Sequence, residues 1–200
     1  MSTQQQPQLH MKRSLADLPP LVVPNGYDLR HFERGDEDAW AALMARNAEL
    51  GDWDRSKAEP YFAHDSRMHL EGAFFVTSNG TPVATAQLHL KPEGQYAPIP
   101  ELGWVAVDPA HKGRALASVA SLAVMHYAAS QDHREIFLLT DDWRLPAVWT
   151  YLKLGFEPWI TDASHPERWT KVQTALEEYR SGRASPVSGR SLPAAPHHVE

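Results

Sequence analysis

The stretch "VDPAHKGRALAS", residues 107–118, joins an apolar run typical of a β-strand to an apolar run typical of an α-helix. A strand that passes through a short loop directly into a helix leaves several backbone amides pointing at one spot, with the positive end of the helix dipole behind them. Such a spot suits a pyrophosphate group. Taken alone, the segment is equally compatible with an ordinary strand-to-helix connection that carries a basic loop.

Composition restricts the classes of partner. The chain has 200 residues, of which 42% are hydrophobic, so it is long enough for one domain with a core. Its formal net charge of -6 comes from interspersed charges, and the basic face of a nucleic-acid binder is missing. The absence of cysteine excludes disulfides and thiolate nucleophiles and favours a cytoplasmic location. Every apolar run is far too short for a membrane span, which argues against a membrane partner.

The chain is expected to hold one domain between two tails. Residues 1–24 are rich in Gln and Pro, and residues 181–200 consist mainly of Ser, Pro, Gly and Ala. Such segments bury too little apolar surface to offset the entropy lost on ordering. We therefore predict a mobile N-terminal arm over 1–24, a folded domain over 25–180 and a disordered C-terminal tail over 181–200.

Hydrophobic periodicity predicts a mixed α/β sheet. The strongest local signal is Asn79-Gly80, a pair suited to a tight hairpin turn, between two β-rich runs. A helix that begins near Pro146 and is closed by Gly155 is a second clear element. The predicted order is a strand, two helices, three antiparallel strands, a helix, a strand, a helix, a strand and a final helix. The first two antiparallel strands both lie in 73–91, on either side of the hairpin turn. The segments in chain order are 27–32, 36–50, 55–65, 73–91, 101–107, 116–127, 135–141, 145–155, 156–160 and 165–179.

A second motif, "LLTDDWRLPAVWTYLKLGFEPW" at 138–159, places Tyr151 on the helix after a buried strand and four residues before Gly155. On its own, Tyr151 is interpreted more simply as a core aromatic residue, because it shares a helical face with Ala147 and Val148. The motif becomes informative only together with the 107–118 segment.

Together the two segments resemble the GNAT superfamily of acyl-CoA-dependent N-acyltransferases. That family shows V-x-P-x-x-R/Q-x-x-G-x-G/A between a strand and a helix, followed by a strand and N-x-x-A-x-x-x-Y-x-x-x-G-F. The first pattern is matched here by Val107, Pro109, Lys112, Ala115 and Ala117, and the second by Arg144, Ala147, Tyr151, Gly155 and Phe156. The resemblance covers roughly residues 26–160.

The resemblance implies a fold and a co-substrate. The fold is the GNAT-type α/β fold, in which a central, mostly antiparallel sheet is flanked by helices and splayed between its fourth and fifth strands. The co-substrate is acetyl-CoA, with its pantetheine arm along the strand at 103–107, and no metal is implied. The cofactor-binding residues implied by the resemblance are Val105, Val107, Lys112, Gly113, Arg114, Ala115, Ala117, Ser118, Arg144 and Ala147.

Three positions depart from the family pattern. Lys112 replaces Arg or Gln, Ala115 replaces the first glycine, and Arg144 stands where asparagine is frequent. Ala115 is expected in the first helical turn with an ordinary helical φ, where a methyl group is tolerated. Arg144 is compatible with a contact to the cofactor phosphates and equally with a solvent-facing side chain.

The resemblance also implies the reaction. Acyl transfer needs a neutral amine, a polarised thioester and a protonated leaving thiolate. Tyr151 matches the family's general acid, and Glu101 matches the position of a glutamate that acts as the base through a water molecule. The alternative for Glu101 is a solvated carboxylate at the end of a strand. A backbone amide near Val105 or Ala106 would stabilise the oxyanion.

The acceptor is expected to be a small molecule with a primary amine, such as an amino acid, a polyamine or an antibiotic-like amine. Aromatic faces and carboxylates suit an ammonium group, although each aromatic residue taken singly is more often part of a core. The candidate substrate-binding residues are Trp40, Asp52, Trp53, Asp141 and Trp143. Asp141 and Asp142 are alternatively caps of the helix at 145, and a homodimer is left open.

Two other interpretations belong to different classes. His64, Asp65 and His69 do not form a convincing metal site, because the two histidines do not share a helical face. A GNAT-fold module that binds CoA or a protein partner without catalysis is the main alternative, supported by the altered glycine pattern and the missing asparagine. His111, inside the 107–118 segment, is compatible with a phosphate contact or with simple exposure.

Overall fold

The structure, a computed structural model, describes residues 6–47, 50–90 and 96–182. The described chain has the mixed α/β fold that the sequence predicts, with mostly antiparallel strands and flanking helices. In chain order, the elements are β1 Leu9–Ser14, β2 Asp28–His31, α1 Glu37–Ala45, α2 Arg55–His64, β3 Met68–Ser78, β4 Thr81–His89, β5 Glu101–Val107, α3 Leu116–Ser130, β6 Glu135–Thr140, α4 Leu145–Lys153, β7 Glu157–Trp159 and α5 His165–Arg180.

The chain divides into two compact units. Among the described residues, the larger unit is Ser14–Ile136, and the smaller unit comprises residues 6–13 and 137–182. The predicted C-terminal tail from residue 183 onward lies outside the described residues.

The larger unit is built on an antiparallel meander in the order β2-β3-β4-β5. Its β3–β4 hairpin turns at Asn79 (φ 49°) and Gly80 (φ 78°), and two consecutive positive φ values are what a type I′ turn requires. This confirms the Asn-Gly hairpin. The pairing of β4 with β5 places Glu101 opposite His89 and Gly103 opposite Gln87.

Helices cover both faces of this meander. Successive residues of a strand point to opposite faces. Phe75 belongs to the core that includes residues of α1 and α2, whereas the ring of its neighbour Phe74 lies 6.2 Å from that of Tyr127 on α3. The first two helices therefore pack on one face and α3 on the other.

The smaller unit holds α4, α5, most of β6, and the antiparallel pair β1–β7, with His10 opposite Trp159. Gly155 ends α4 with a φ of 83°, and the amide of Phe156 bonds to the carbonyl of Tyr151 at 3.0 Å. This is the glycine helix end that the sequence predicts.

Strand β1 was not predicted, because residues 1–24 were expected to form a mobile arm. Leu9 and Met11 are completely buried, and the Arg13 guanidinium donates a hydrogen bond to the carbonyl of Leu154. The strand forms because these apolar side chains and backbone groups find partners near the other end of the chain, which no local pattern reveals.

Candidate active site

The connection between β5 and α3 is closed by Asp108. Its carboxylate accepts a hydrogen bond from the amide of Ala110 at 2.9 Å and pairs with the guanidinium of Arg46. The hydrogen bond from the amide of Ala110 and, to a lesser degree, the guanidinium of Arg46 hold the pKa of Asp108 below its usual value. A short 3-10 turn over Pro109–His111 follows, so the segment that leads to α3 is fixed at its start.

Ala115 corrects the sequence-based expectation. It does not lie in the first helical turn with helical φ; it precedes the helix in the left-handed region, with φ 60° and ψ 15°. The first backbone bond of α3 runs from the amide of Val119 to the carbonyl of Ala115. The helix begins at Leu116, so Ala115 lies directly before it, and a left-handed alanine costs about 1–2 kcal/mol. Gly113, with φ 78°, takes the same region without that cost.

The amino end of α3 presents amides without a capping side chain. Leu116, Ala117 and Ser118 are the first three residues of a 15-residue helix, and their amides precede the first possible intrahelical acceptor. The N-cap residue is Ala115, whose methyl group cannot accept a hydrogen bond. The exposed Lys112 and Arg114 lie in the same loop. This arrangement of free amides, helix dipole and cations suits an anionic ligand.

Tyr27, which the sequence analysis did not select, lies against this loop. Its hydroxyl accepts a hydrogen bond from Arg114 Nη1 at 2.7 Å and lies 3.0 Å from Nδ1 of His111. The rings of Tyr27 and His111 meet edge to face at 5.8 Å. His111 is thus half-buried against Tyr27 and is not simply exposed.

Strand β5 contains a β-bulge in the middle of the candidate cofactor strand. Gln87 pairs with Gly103, and Thr85 pairs with Ala106, so two residues, Trp104 and Val105, face the single residue between Thr85 and Gln87. Trp104 has a φ of 48°. A bulge interrupts the ladder and re-aims side chains. It therefore places an irregular stretch of backbone at Val105, which with Ala106 is a candidate oxyanion donor.

Aromatic residues gather beside the bulge. The rings of Trp53, Tyr61 and Trp104 lie 4.7, 5.6 and 5.7 Å from that of Trp40, and we call these four residues the aromatic cluster. Trp40 is completely buried, whereas the other three are half-buried. Trp40 therefore packs beneath the other three rings of the cluster, and within the cluster only Trp53, Tyr61 and Trp104 are accessible to an acceptor.

Asp52 does not face into the aromatic cluster. Its side chain is 93% exposed and pairs with the ammonium group of Lys57 at 3.1 Å. Its neighbour Trp53 is fixed by an indole N–H donated to the carbonyl of Leu50 at 2.9 Å. Of the two sequence-selected residues, Trp53 belongs to the cluster and Asp52 to the surface.

The polar edge of the aromatic cluster centres on the Tyr61 hydroxyl. That oxygen lies 2.7 Å from Nε2 of His89, 3.2 Å from Oε1 of Gln87 and 3.0 Å from the sulfur of Met68. Burial raises the pKa of Tyr61 well above its usual value, so the hydroxyl keeps its proton at neutral pH. The sequence signal for this group is two polar residues, Gln87 and His89, at alternate positions of an otherwise apolar strand.

Tyr151 is a buried residue of α4 in the smaller unit. It is 6% exposed, and its ring lies 6.0 Å from that of Phe156. Burial raises the pKa of Tyr151, and the positive charge of Arg144 partly opposes that shift. The hydroxyl is therefore protonated at neutral pH, as a general acid must be.

Arg144 is the N-cap residue of α4, and its guanidinium lies 5.9 Å from the ring centre of Trp143. Ala147 donates its amide to the carbonyl of Arg144 at 2.9 Å. Asp141 accepts a hydrogen bond from the Gln8 side chain at 3.3 Å, and Asp142 pairs with the guanidinium of Arg168. No side chain caps α4, so the alternative of an aspartate cap is wrong.

The sequence-predicted residues are thus divided between the two units. The larger unit holds Glu101, the 107–118 segment and the aromatic cluster, and the smaller unit holds Tyr151 with Arg144 and Trp143. Within the described ranges, no three His, Cys, Asp or Glu side chains are grouped so that they could hold a metal ion. None of the helices in that part of the chain has the length and apolar character that a bilayer crossing requires.

Known proteins resemble this chain at two levels. In sequence, it is 34% identical over 168 residues to a mycothiol acetyltransferase of Thermobispora bispora, a match over 78% of this chain and 55% of that protein. In structure, it is similar to a GNAT-family acetyltransferase of Novosphingobium aromaticivorans, with a TM-score of 0.55, 18% identity and coverage of 77% and 61% of the two chains. An aminoglycoside N-acetyltransferase in complex with CoA gives a TM-score of 0.55 at 18% identity, with coverage of 70% and 95%.

The chain spans about half the length of the curated relatives it matches. The model of the acetyltransferase (GNAT) family matches residues 36–156, which contain both motifs and every element from α1 to α4. The chain therefore belongs to the GNAT acetyltransferase family.

Proposed function

We propose that the protein transfers an acetyl group from acetyl-CoA to the primary amine of a small molecule, by direct attack of the amine on the thioester in a ternary complex. The single observation that carries this proposal is the uncapped amino end of α3, where the amides of Leu116, Ala117 and Ser118 have no acceptor within the helix. The loop that leads to these amides contains two residues with positive φ, Gly113 and Ala115. A pyrophosphate is the ligand that such a helix end suits. The CoA complex of a protein with the same fold supports the choice of co-substrate.

Tyr151 and Glu101 take the acid and base roles in this proposal. Tyr151 protonates the leaving thiolate, for which its raised pKa keeps the proton available. Glu101 accepts the proton of the amine through a water molecule. The bulge at Val105 supplies a backbone amide for the developing oxyanion.

The acceptor is placed against the exposed faces of the aromatic cluster. Indole and phenol faces attract an ammonium group, and a carboxylate at Glu101 allows the amine to lose its proton before attack. Small-molecule acceptors are favoured because two similar proteins are named as acetyltransferases for mycothiol and for aminoglycosides. Nucleic acid is disfavoured by the net charge of -6.

Thiol release with a panel of amines tests this proposal. The panel contains amino acids, polyamines, aminoglycosides and the acceptor of mycothiol acetyltransferases, and free CoA is detected as thiol while the acetylated product is identified by mass spectrometry. Amine-dependent release that disappears in Tyr151→Phe is the expected result. Absence of release with every amine would contradict transfer.

A second candidate function is CoA binding without catalysis. It is favoured by one observation, the strained left-handed conformation of Ala115 where the family has glycine. A ligand that binds the folded state raises the melting temperature. A CoA-dependent rise in melting temperature without thiol release from any amine would therefore select this second function.

A further inference from the structure

His89 lies on the same face of the sheet as Glu101. The two residues are direct partners in the antiparallel β4–β5 pair. A side chain at position 103 would place its Cβ 2.6 Å from Cε1 and 2.8 Å from Nδ1 of His89, so the imidazole ring covers Gly103. Residues 101 and 103 point to the same face of the strand because side chains alternate. The ring of His89 and the side chain of Glu101 therefore share one face, and only glycine at position 103 leaves room for the ring.

The imidazole of His89 is buried and hydrogen-bonded. His89 is 5% exposed, and its Nε2 lies 2.7 Å from the Tyr61 hydroxyl, which in turn lies 3.2 Å from Oε1 of Gln87. Gln87 is fully buried. A chain in which His89 donates to Tyr61 and Tyr61 donates to Gln87 satisfies both bonds and leaves Nδ1 on the side of Gly103. The second ring nitrogen is thus held toward β5.

The charged groups described near His89 include Asp65, Arg67 and Glu101. Asp65, at the end of α2, is close enough for the charge of His89 to contribute to its lowered pKa, although Arg67 makes the largest contribution. Arg67 pairs with Asp65 at 2.5 Å and largely neutralises it. Tyr61 keeps its proton. The carboxylate of Glu101, on the same face of the sheet, would stabilise the imidazolium that forms when His89 receives a proton.

We propose that His89 is a positioning residue for acyl transfer, which acts through Glu101 by receiving the proton that Glu101 takes from the amine. The inference rests on the proposed function. In the step, the amine nitrogen forms the C–N bond and the C–S bond breaks; the thiolate takes a proton from Tyr151. The proton lost by nitrogen passes through water to Glu101 and on to His89, and then to solvent, while solvent returns a proton to Tyr151. One proton leaves nitrogen and one reaches sulfur, so the step balances.

The pH profile of the full-length protein tests this role. His89→Gln keeps a hydrogen-bonding side chain of similar length but cannot titrate. We expect kcat to fall at least about tenfold at neutral pH, and the midpoint of the ascending limb of kcat/KM to move relative to wild type. His69→Gln, a change at an exposed histidine of β3, is the matched control and should leave both unchanged. A lower rate with an unmoved midpoint would show a merely structural role and overturn the proposal.

A measurement that does not depend on activity separates this inference from the proposed function. The ring signals of His89 are followed by NMR against pH in wild type and in Glu101→Gln. We expect the titration midpoint to move to lower pH in Glu101→Gln, because a neighbouring carboxylate stabilises the imidazolium. An unmoved midpoint would overturn the coupling even if the enzyme is active. Coupling without amine-dependent thiol release would instead contradict acyl transfer and, with it, a role of His89 in that reaction.

Tyr61→Phe is a second variant, which keeps the aromatic ring at position 61 and removes the hydrogen bond to Nε2 of His89. We expect the His89 midpoint to move in this variant as well, while circular dichroism and the melting temperature report an intact fold. An unchanged midpoint in both Tyr61→Phe and Glu101→Gln would leave His89 as an isolated core histidine, contrary to the proposal.

Discussion

The hydroxyl of Tyr27, the residue before β2, accepts a hydrogen bond from Arg114 Nη1 at 2.7 Å, although the two residues are 87 positions apart. The bond fixes the guanidinium of Arg114, which lies two residues before the first residue of α3. A fixed cation loses less conformational entropy when it pairs with a phosphate than a free one does. Tyr27 thus prepares the 107–118 segment for an anion without contacting it directly.

Tyr27→Phe removes this bond and keeps the ring. We expect the affinity for CoA to fall about twofold to tenfold, which corresponds to the ordinary net contribution of one hydrogen bond, and isothermal titration calorimetry measures it. Tyr179→Phe, on α5 of the smaller unit, is the control and should bind CoA as wild type does. Equal CoA affinity of Tyr27→Phe and wild type would show that the hydrogen bond from Arg114 to Tyr27 does not contribute to CoA binding.

Ala115→Gly should stabilise the fold. The left-handed conformation costs alanine about 1–2 kcal/mol, and glycine returns about 0.5–1 kcal/mol of that as extra entropy of the unfolded chain. A net gain of up to about 1.5 kcal/mol is therefore expected in the free energy of unfolding, measured with urea. Ala117→Gly, at the second residue of α3, is the matched control and should destabilise because its backbone is helical. A lower free energy of unfolding in Ala115→Gly would contradict backbone strain at Ala115.

Tyr151→Phe should reduce kcat and spare CoA binding. Removal of a general acid lowers turnover by about 10²–10⁴-fold, whereas the buried ring and its contact with Phe156 are kept. The rate is followed as thiol release and the affinity by calorimetry. A parallel loss of affinity would assign the hydroxyl to binding instead.

The raised pKa of Tyr151 also sets a stability prediction. A folded-state pKa above the unfolded value gives stability that is fully present below the unfolded pKa and is lost as pH rises through the folded one. Wild type should therefore lose unfolding free energy at alkaline pH, above about 10, the usual value for tyrosine. Tyr151→Phe should lose less over that range. Identical alkaline slopes would show that the hydroxyl ionises equally in both states.

Local signals predicted most of the fold. Asn79-Gly80 and Gly155 require positive φ in a turn and at a helix end, and the structure has both. Pro60 lies inside α2, where the packing of Phe62 on the core outweighs the low helix propensity of proline.

The candidate site was only partly predictable, for two physical reasons. The role of a residue such as Tyr61 depends on strand register: His89 and Gln87 reach its hydroxyl only because β3 and β4 pair as they do. The conformation of Ala115 depends on whether it lies inside the first turn of α3, where φ is negative, or directly before the helix, where it has a positive φ. Motif spacing alone does not determine either.

Strand β1 was missed because its partner lies near the other end of the chain, and it supplies the last prediction. Leu9 is completely buried in the smaller unit, and the following residue, His10, pairs with Trp159 of β7. Leu9→Ala removes a core side chain, so we expect a loss of about 2–5 kcal/mol of unfolding free energy in urea titrations. Val22→Ala, at a side chain that is 68% exposed, is the control and should cost little. Because a mobile arm contributes no core contacts, equal stability of Leu9→Ala and wild type would restore the expectation of a mobile segment over residues 1–24.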